Sequence, residues 1–123
     1  MLALMEKNIA LNELQASVQA SVYDWGTAPP ADITKQPDII LAADCVYFEP
    51  AFPLLLETLK DLIGEKTTCY FCFKKRRRAD LHFIKSMKKT FMVFEVDDDL
   101  DKPIYSRKSI FLFVHFLHAE NIT

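Results

Sequence analysis

The stretch Asp38–Tyr47, DIILAADCVY, decides how this chain is read. An unbroken apolar run, Ile39 to Ala43, lies between Pro37 on one side and Glu49-Pro50 on the other. A short apolar run between such breakers predicts a strand over 38–44, buried on both faces as in a parallel sheet. The run ends in a carboxylate, Asp44, followed by Cys45, Val46 and the phenol of Tyr47. In open α/β sheets ligands bind outside the carboxyl ends of the strands. Asp44 and Tyr47 therefore stand where a site is expected. A plain role for Asp44, capping the segment that follows, fits the spacing equally well.

Downstream, Pro50 and Pro53 suit the first turn of a helix, where a missing N–H costs nothing. That helix runs to about Ile63, with Phe52, Leu55, Leu56, Leu59, Leu62 and Ile63 on one apolar stripe and Gly64 as C-cap. TCYFCF (68–73) is apolar throughout and reads as a second strand covered on both faces. Its Cys69 and Cys72 form a C-x-x-C, but residues three apart on a strand point to opposite faces, so they read as separate buried thiols. No second pair completes a zinc site, and no metal is expected. KKRRR (74–78) opens a helix over about 77–89, carrying Leu81, Phe83, Ile84 and Met87. FMVFEV (91–96) and IFLFVHF (110–116) are strands, joined by a polar connection over 97–109 in which no helix is expected. A parallel pair needs a longer crossover, so these two strands should be antiparallel.

Upstream, residues 2–12 read as a helix, with Leu2, Met5, Ile9 and Leu11 at helical spacing. ASVQASVYDW (16–25) alternates and reads as a strand with Val18, Ala20 and Val22 on one face. Pro29, Pro30 and Pro37 make the next segment a surface loop. The predicted order is α-β-β-α-β-α-β-β, an α/β chain with a mainly parallel sheet and a terminal antiparallel hairpin.

The 123 residues suffice for one domain with a modest core. A net charge of -2 offers no electrostatic case for a nucleic-acid partner. The longest apolar runs are far short of a membrane span, so no membrane association is expected. The N-terminus makes a poor signal peptide, which points to a reducing, cytoplasmic setting with free thiols. Asn121-Ile122-Thr123 matches a glycosylation sequon that has no consequence in that setting. With two glycines in the whole chain, neither a phosphate loop nor G-x-G-x-x-G exists. KKRRR follows a strand end, which puts it on the rim that carries Asp44. It reads either as a solvated face leading into a helix or as a surface for an acidic partner or RNA, and the run Asp97-Asp98-Asp99 with Asp101 could neutralise it.

Four pieces resemble the seven-strand S-adenosyl-L-methionine-dependent protein-lysine methyltransferases, within them the methyltransferase-like group, and in it the fungal elongation-factor lysine methyltransferases. LMEKNIALN (4–12) is similar to the helix after that family's second strand. Asp24-Trp25-Gly26 is similar to its Trp-Gly motif. ADCVY (43–47) fits its Asp-x-x-Tyr motif at the end of the fourth strand. The hairpin over 91–116 fits its antiparallel terminus. The resemblance implies a Rossmann-like seven-strand sheet, S-adenosyl-L-methionine as cofactor, and a protein substrate, with elongation factor one alpha as the suggested one. It implies that Trp25 lies at the adenine side of the cofactor pocket, that Ala43 lines it, and that Asp44 and Tyr47 form the catalytic mouth where methyl group meets lysine.

The family's opening strand, its Gly-rich turn and the acid that holds the ribose have no counterpart in these residues. The resemblance thus implies that residues 1–123 form the C-terminal part of a single methyltransferase domain, a fragment expected to bind the cofactor weakly or not at all. It also implies that strand 16–25 has lost the neighbours that would lie between it and strand 38–44. The rival expectation is a non-catalytic remnant acting as a protein interaction module.

Overall fold

The computed structural model describes residues 1–117, and the Asn121-Ile122-Thr123 sequon lies outside them. Helix α1 (Leu2–Leu11) leads by a long connection to strand β1 (Ile39–Ala43). A 3-10 turn (Glu49–Ala51) and helix α2 (Phe52–Leu62) follow, then strand β2 (Thr68–Lys74), helix α3 (Arg78–Thr90) and strand β3 (Phe91–Glu95). A short helix α4 (Lys102–Ser106) and strand β4 (Ile110–Leu117) complete the order. The four strands form one sheet in the order β1-β2-β4-β3. β1 and β2 are parallel, and β4 runs antiparallel to both β2 and β3. The hairpin expected from the short connection is thus present, with β4 inserted between β2 and β3.

The pleat sorts the side chains. Cys69, Phe71 and Phe73 of β2 share a face with Phe111, Phe113 and His115 of β4, their register partners. Both α2 and α3 pack on this face: Phe52 of α2 meets Phe83 of α3 at 5.1 Å between ring centroids, and Phe83 meets Phe71 at 5.9 Å. Phe71, Phe73, Phe83 and Phe91 are buried, each contributing roughly 2–3 kcal/mol of apolar transfer. The stripe expected on α2 is the one buried, through Phe52, Leu55, Leu59 and Ile63.

Several expectations are corrected. The strand over 38–44 is present at 39–43, but it is not covered on both faces: Ile39 is 60% and Leu41 79% exposed. β1 is an edge strand, and α2 and α3 cover one side of the sheet only. For the same reason Tyr70 of β2, on the outer face, is exposed. No strand forms over 16–25; the alternation Val18, Ala20, Val22 has the right period, but a strand needs a ladder partner and none is present among the described residues. The connection after β3 does hold a helix, the five-residue α4, which begins at the Pro103 turn and packs against β4. Its Lys102 is ion-paired with Glu95 at 3.2 Å and with Asp97.

Gly64 is not a left-handed cap. The C-cap is Ile63 with φ -81°, and a Cβ at Gly64 would stand 2.5 Å from the exposed Gln36 side chain, whose flexible end can swing aside. The Gly64 N–H donates instead to Thr67 Oγ1 at 3.0 Å. The left-handed cap is on α1. Glu13 has φ +55°, its N–H reaches Ala10 O, and Leu14 N–H reaches Ile9 O, the paired bonds of a Schellman motif.

Candidate active site

At the carboxyl end of β1 the ladder closes with Asp44 N–H donating to Cys72 O at 3.0 Å. Asp44 then turns out of the sheet with φ +55°, a left-handed conformation that Asp tolerates better than most residues. The turn aims its carboxylate along the rim rather than into the pleat. Val46, two residues on, is fully buried and pins the loop to the core, while Tyr47 and Phe48 project outward, Tyr47 60% exposed. One buried residue thus holds a carboxylate on one side and two aromatic rings on the other.

β2 ends beside β1, so the residues after it share the rim. Arg76 donates through Nη1 and Nη2 to Asp44 Oδ1, each at 3.3 Å. The expected placement of the basic run beside Asp44 is borne out by this pair. With the Asp44 side chain 72% and that of Arg76 46% exposed, the pair is worth little in stability and is easily exchanged for another cation.

Arg76 itself is positioned by a buried device. Asp80, the third residue of α3, is fully buried and accepts from Arg76 N–H at 2.8 Å, Arg77 N–H at 3.2 Å and Arg77 Nε at 3.0 Å. A guanidinium cannot accept in return, so only the carboxylate half of a capping box forms. Sequence reasoning missed Asp80; an acid three residues into a predicted helix was the available signal.

The thiols nearby are disfavoured as thiolates. Burial and the Asp44 charge push Cys45 and Cys72 up, and burial followed by the neighbouring Cys45 pushes Cys69 up to about 12. Cys69 is buried and Cys72 half-buried on opposite faces of β2, as the C-x-x-C spacing on a strand implies. Among the described residues no group of three His, Cys, Asp or Glu converges on a metal position. No helix among them is long and apolar enough to cross a membrane.

Ala43 is exposed at the strand end, adjoining Asp44. Trp25 belongs to the loop before β1. It is half-buried against the hydrophobic core, and its neighbour Gly26 donates N–H to Thr58 Oγ1 of α2 at 2.9 Å. Among the described residues no hydrogen bond or ring stacking joins Trp25 to Ala43, Asp44 or Tyr47. Gly26 has φ +84°, and a Cβ would stand 2.6 Å from Leu54 Cδ2. Gly26→Ala should therefore cost about 1–2 kcal/mol and loosen Trp25. Thermal melting with a red shift of tryptophan emission checks this; an unchanged melt and spectrum would mean that the Trp-Gly segment does not depend on this turn.

A carboxylate and a phenol on an exposed strand-end rim stand where open α/β sheets bind their ligands. The sequence comparisons give the family. A sequence model described as lysine methyltransferase matches residues 1–90, and the chain belongs to that family. It is 41% identical to the protein-lysine N-methyltransferase EFM6 of Saccharomyces cerevisiae, over 80% of this chain and 44% of the relative. It is 34% identical to the protein N-lysine methyltransferase METTL21A of Danio rerio, over 78% and 44% respectively. It is 33% identical to the EEF1A lysine methyltransferase 3 of Mus musculus, over 79% and 47%. The chain thus spans less than half the length of these relatives.

Proposed function

We propose that the protein acts in S-adenosyl-L-methionine-dependent methylation of a lysine on a translation elongation factor, elongation factor one alpha, in the cytoplasm. The names of the relatives support the reaction and the substrate class. The observation in the structure that supports it most directly is Asp44, turned out at the strand end in a left-handed conformation beside exposed Tyr47. Residues 1–123 would form the C-terminal part of one Rossmann-like, seven-strand methyltransferase domain. The open edge and uncovered outer face of β1 agree with further strands and helices packing there.

The sulfonium of S-adenosyl-L-methionine supplies a methyl group that is already activated. The residues of this chain have the task of alignment. Asp44 attracts the lysine ammonium and can exchange Arg76 for it, since their pair is long and exposed. The proton leaves to solvent at the open rim, and Tyr47 offers its ring face or hydroxyl to the neutral amine. Ala43 presents a small surface at the strand end and Trp25 a half-buried indole, which fit contacts with an adenine-bearing cofactor. With two glycines in the chain, no glycine-rich turn is present to receive that cofactor's amino-acid end.

Weak but saturable quenching of Trp25, the only tryptophan, by S-adenosyl-L-methionine is the expected result, lost in Trp25→Phe. Where labelled methyl transfer to elongation factor one alpha is measurable, Asp44→Asn should lower it about ten-fold or more. A second reading, a non-catalytic interaction module, is favoured by the exposed apolar residues Ile39, Leu41, Tyr70 and Phe94. Absence of quenching together with a cooperative melt would pass the weight to it, whereas absence of quenching with a poorly cooperative melt would mean that these residues need the rest of the domain.

A further inference from the structure

The rim beside Asp44 carries a positive arc that the proposed transfer step does not use. Lys74, Lys75 and Arg78 are exposed, and among the described residues none of their side chains makes an ion pair. Arg76 and Arg77 are committed to Asp44 and Asp80. Lys75 N–H donates to Ser109 O at 2.8 Å, which brings the exposed Arg107 and Lys108, just ahead of β4, onto the same rim. The strand order fixes the sequence of charges along this rim. Asp44 stands at the end of β1, then come Lys74 as the last residue of β2, Lys75 after it and Arg78 at the start of α3, then Arg107 and Lys108 before β4. Beyond them, at the end of β3, the sign reverses with Asp97 and Asp98.

Adjacent strands lie about 4.8 Å apart, so the step from β1 to β4 is roughly 10 Å. An extended peptide covers that distance in about three residues. A substrate whose lysine reaches Asp44 and Tyr47 would then lay its next residues, on one side only, over the positive arc.

We propose that this arc is a specificity surface for a protein segment carrying acidic residues within about three positions of the target lysine, on one side of it. The proposal rests on the reading of Asp44 and Tyr47 as a lysine site. Charge arrangement selects an acidic peptide over RNA. Asp44 and Asp97 are already paired with Arg76 and Lys102, but exposed Asp98 bounds the arc on the β3 side and would repel a continuous phosphate chain, and the net charge of -2 adds no general attraction for one. The exposed rings of Tyr47 and Phe48 offer apolar contact near the lysine.

The test uses the whole chain and fluorescence anisotropy of labelled peptides with one central lysine. Three aspartates are placed on its N-terminal side, on its C-terminal side, or replaced by asparagines, and an RNA oligonucleotide serves for comparison. One of the two acidic peptides should bind about ten-fold tighter than the neutral one at low salt, with the advantage fading as salt rises. The charge reversal K74E/K75E/R78E should abolish the preference, with circular dichroism verifying the fold. The salt series on the unaltered chain decides the matter if that variant fails to fold. Equal binding of acidic and neutral peptides, no binding of either, or tighter binding of RNA would overturn the proposal. Replacing the central lysine by norleucine separates the two claims. Acid preference that persists without any lysine contribution keeps the arc and counts against the lysine site, whereas lysine-dependent binding without acid preference does the reverse.

Discussion

Asp80→Ala should destabilise the protein by about 3 kcal/mol, the larger part of what a single side chain can do in a domain of this size. The carboxylate is fully buried and accepts three hydrogen bonds, two of them from the backbone N–H groups of Arg76 and Arg77. Removing it leaves both N–H groups without their partner at the start of α3, where no other side-chain cap replaces it. It also removes the anchor that holds Arg77 against the Phe52 ring, with its guanidinium carbon 5.8 Å from the ring centroid. Asp80→Asn keeps one acceptor oxygen and should recover part of the loss. Thermal melts of the three proteins measure this, with about 10 °C expected between wild type and Asp80→Ala. A loss under about 1 kcal/mol would show that α3 is held by Phe83, Ile84 and Met87 alone. Because Asp80 fixes the backbone at Arg76, the variant should also release Arg76 from Asp44, linking the stability of a helix end to the arrangement of the rim.

The sequence showed most clearly what depends on neighbours along the chain. Pro37 and Glu49-Pro50 bracketed β1, Pro53 and the Leu55-Leu59 spacing marked α2, and the short link from 97 to 109 required an antiparallel pair. What depends on partners distant in the chain was not visible. Val18, Ala20 and Val22 alternate as a strand does, yet alternation supplies no ladder, and the segment stays unpaired. An all-apolar run such as Ile39–Ala43 fits a strand covered on both faces, but coverage belongs to the packing elements, and α2 and α3 occupy one face. In the candidate site, the rim position of Asp44 beside KKRRR was legible because two parallel strands end together. The choice of Arg76 over the other four cations was not, because it follows from the Asp80 cap. Nor could spacing place Trp25, whose position is set by the Gly26 turn on Thr58 and Leu54.

His115 should make the protein lose stability on mild acidification. It is fully buried in β4 between Cys69 and Val93, its register partners, and stacks on Phe71 at 5.2 Å and Phe91 at 6.5 Å between centroids. Neither ring nitrogen has a hydrogen-bond partner among the described residues. Cys69 stays a neutral thiol throughout this range, so it offers no charge to an imidazolium. Burial accordingly lowers the His115 pKa from 6.5 to about 4. Above pH 6.5 the ring is neutral in both folded and unfolded chains and contributes no slope. As pH falls below 6.5 the unfolded chain takes up a proton that the folded chain refuses, so the unfolded state gains. The expected loss is about 2 kcal/mol by pH 5 and about 3 kcal/mol once pH passes below 4. His115→Phe keeps the stacked ring, removes two unpartnered nitrogens, and should raise stability by about 1 kcal/mol at pH 7. More tellingly, it should flatten the difference between pH 6.5 and pH 5, a window above the range in which ordinary carboxylates titrate. Urea unfolding of both proteins at these two pH values separates the cases. A parallel fall in wild type and variant would mean that the acid sensitivity resides in other groups and that the buried imidazole takes up its proton without cost.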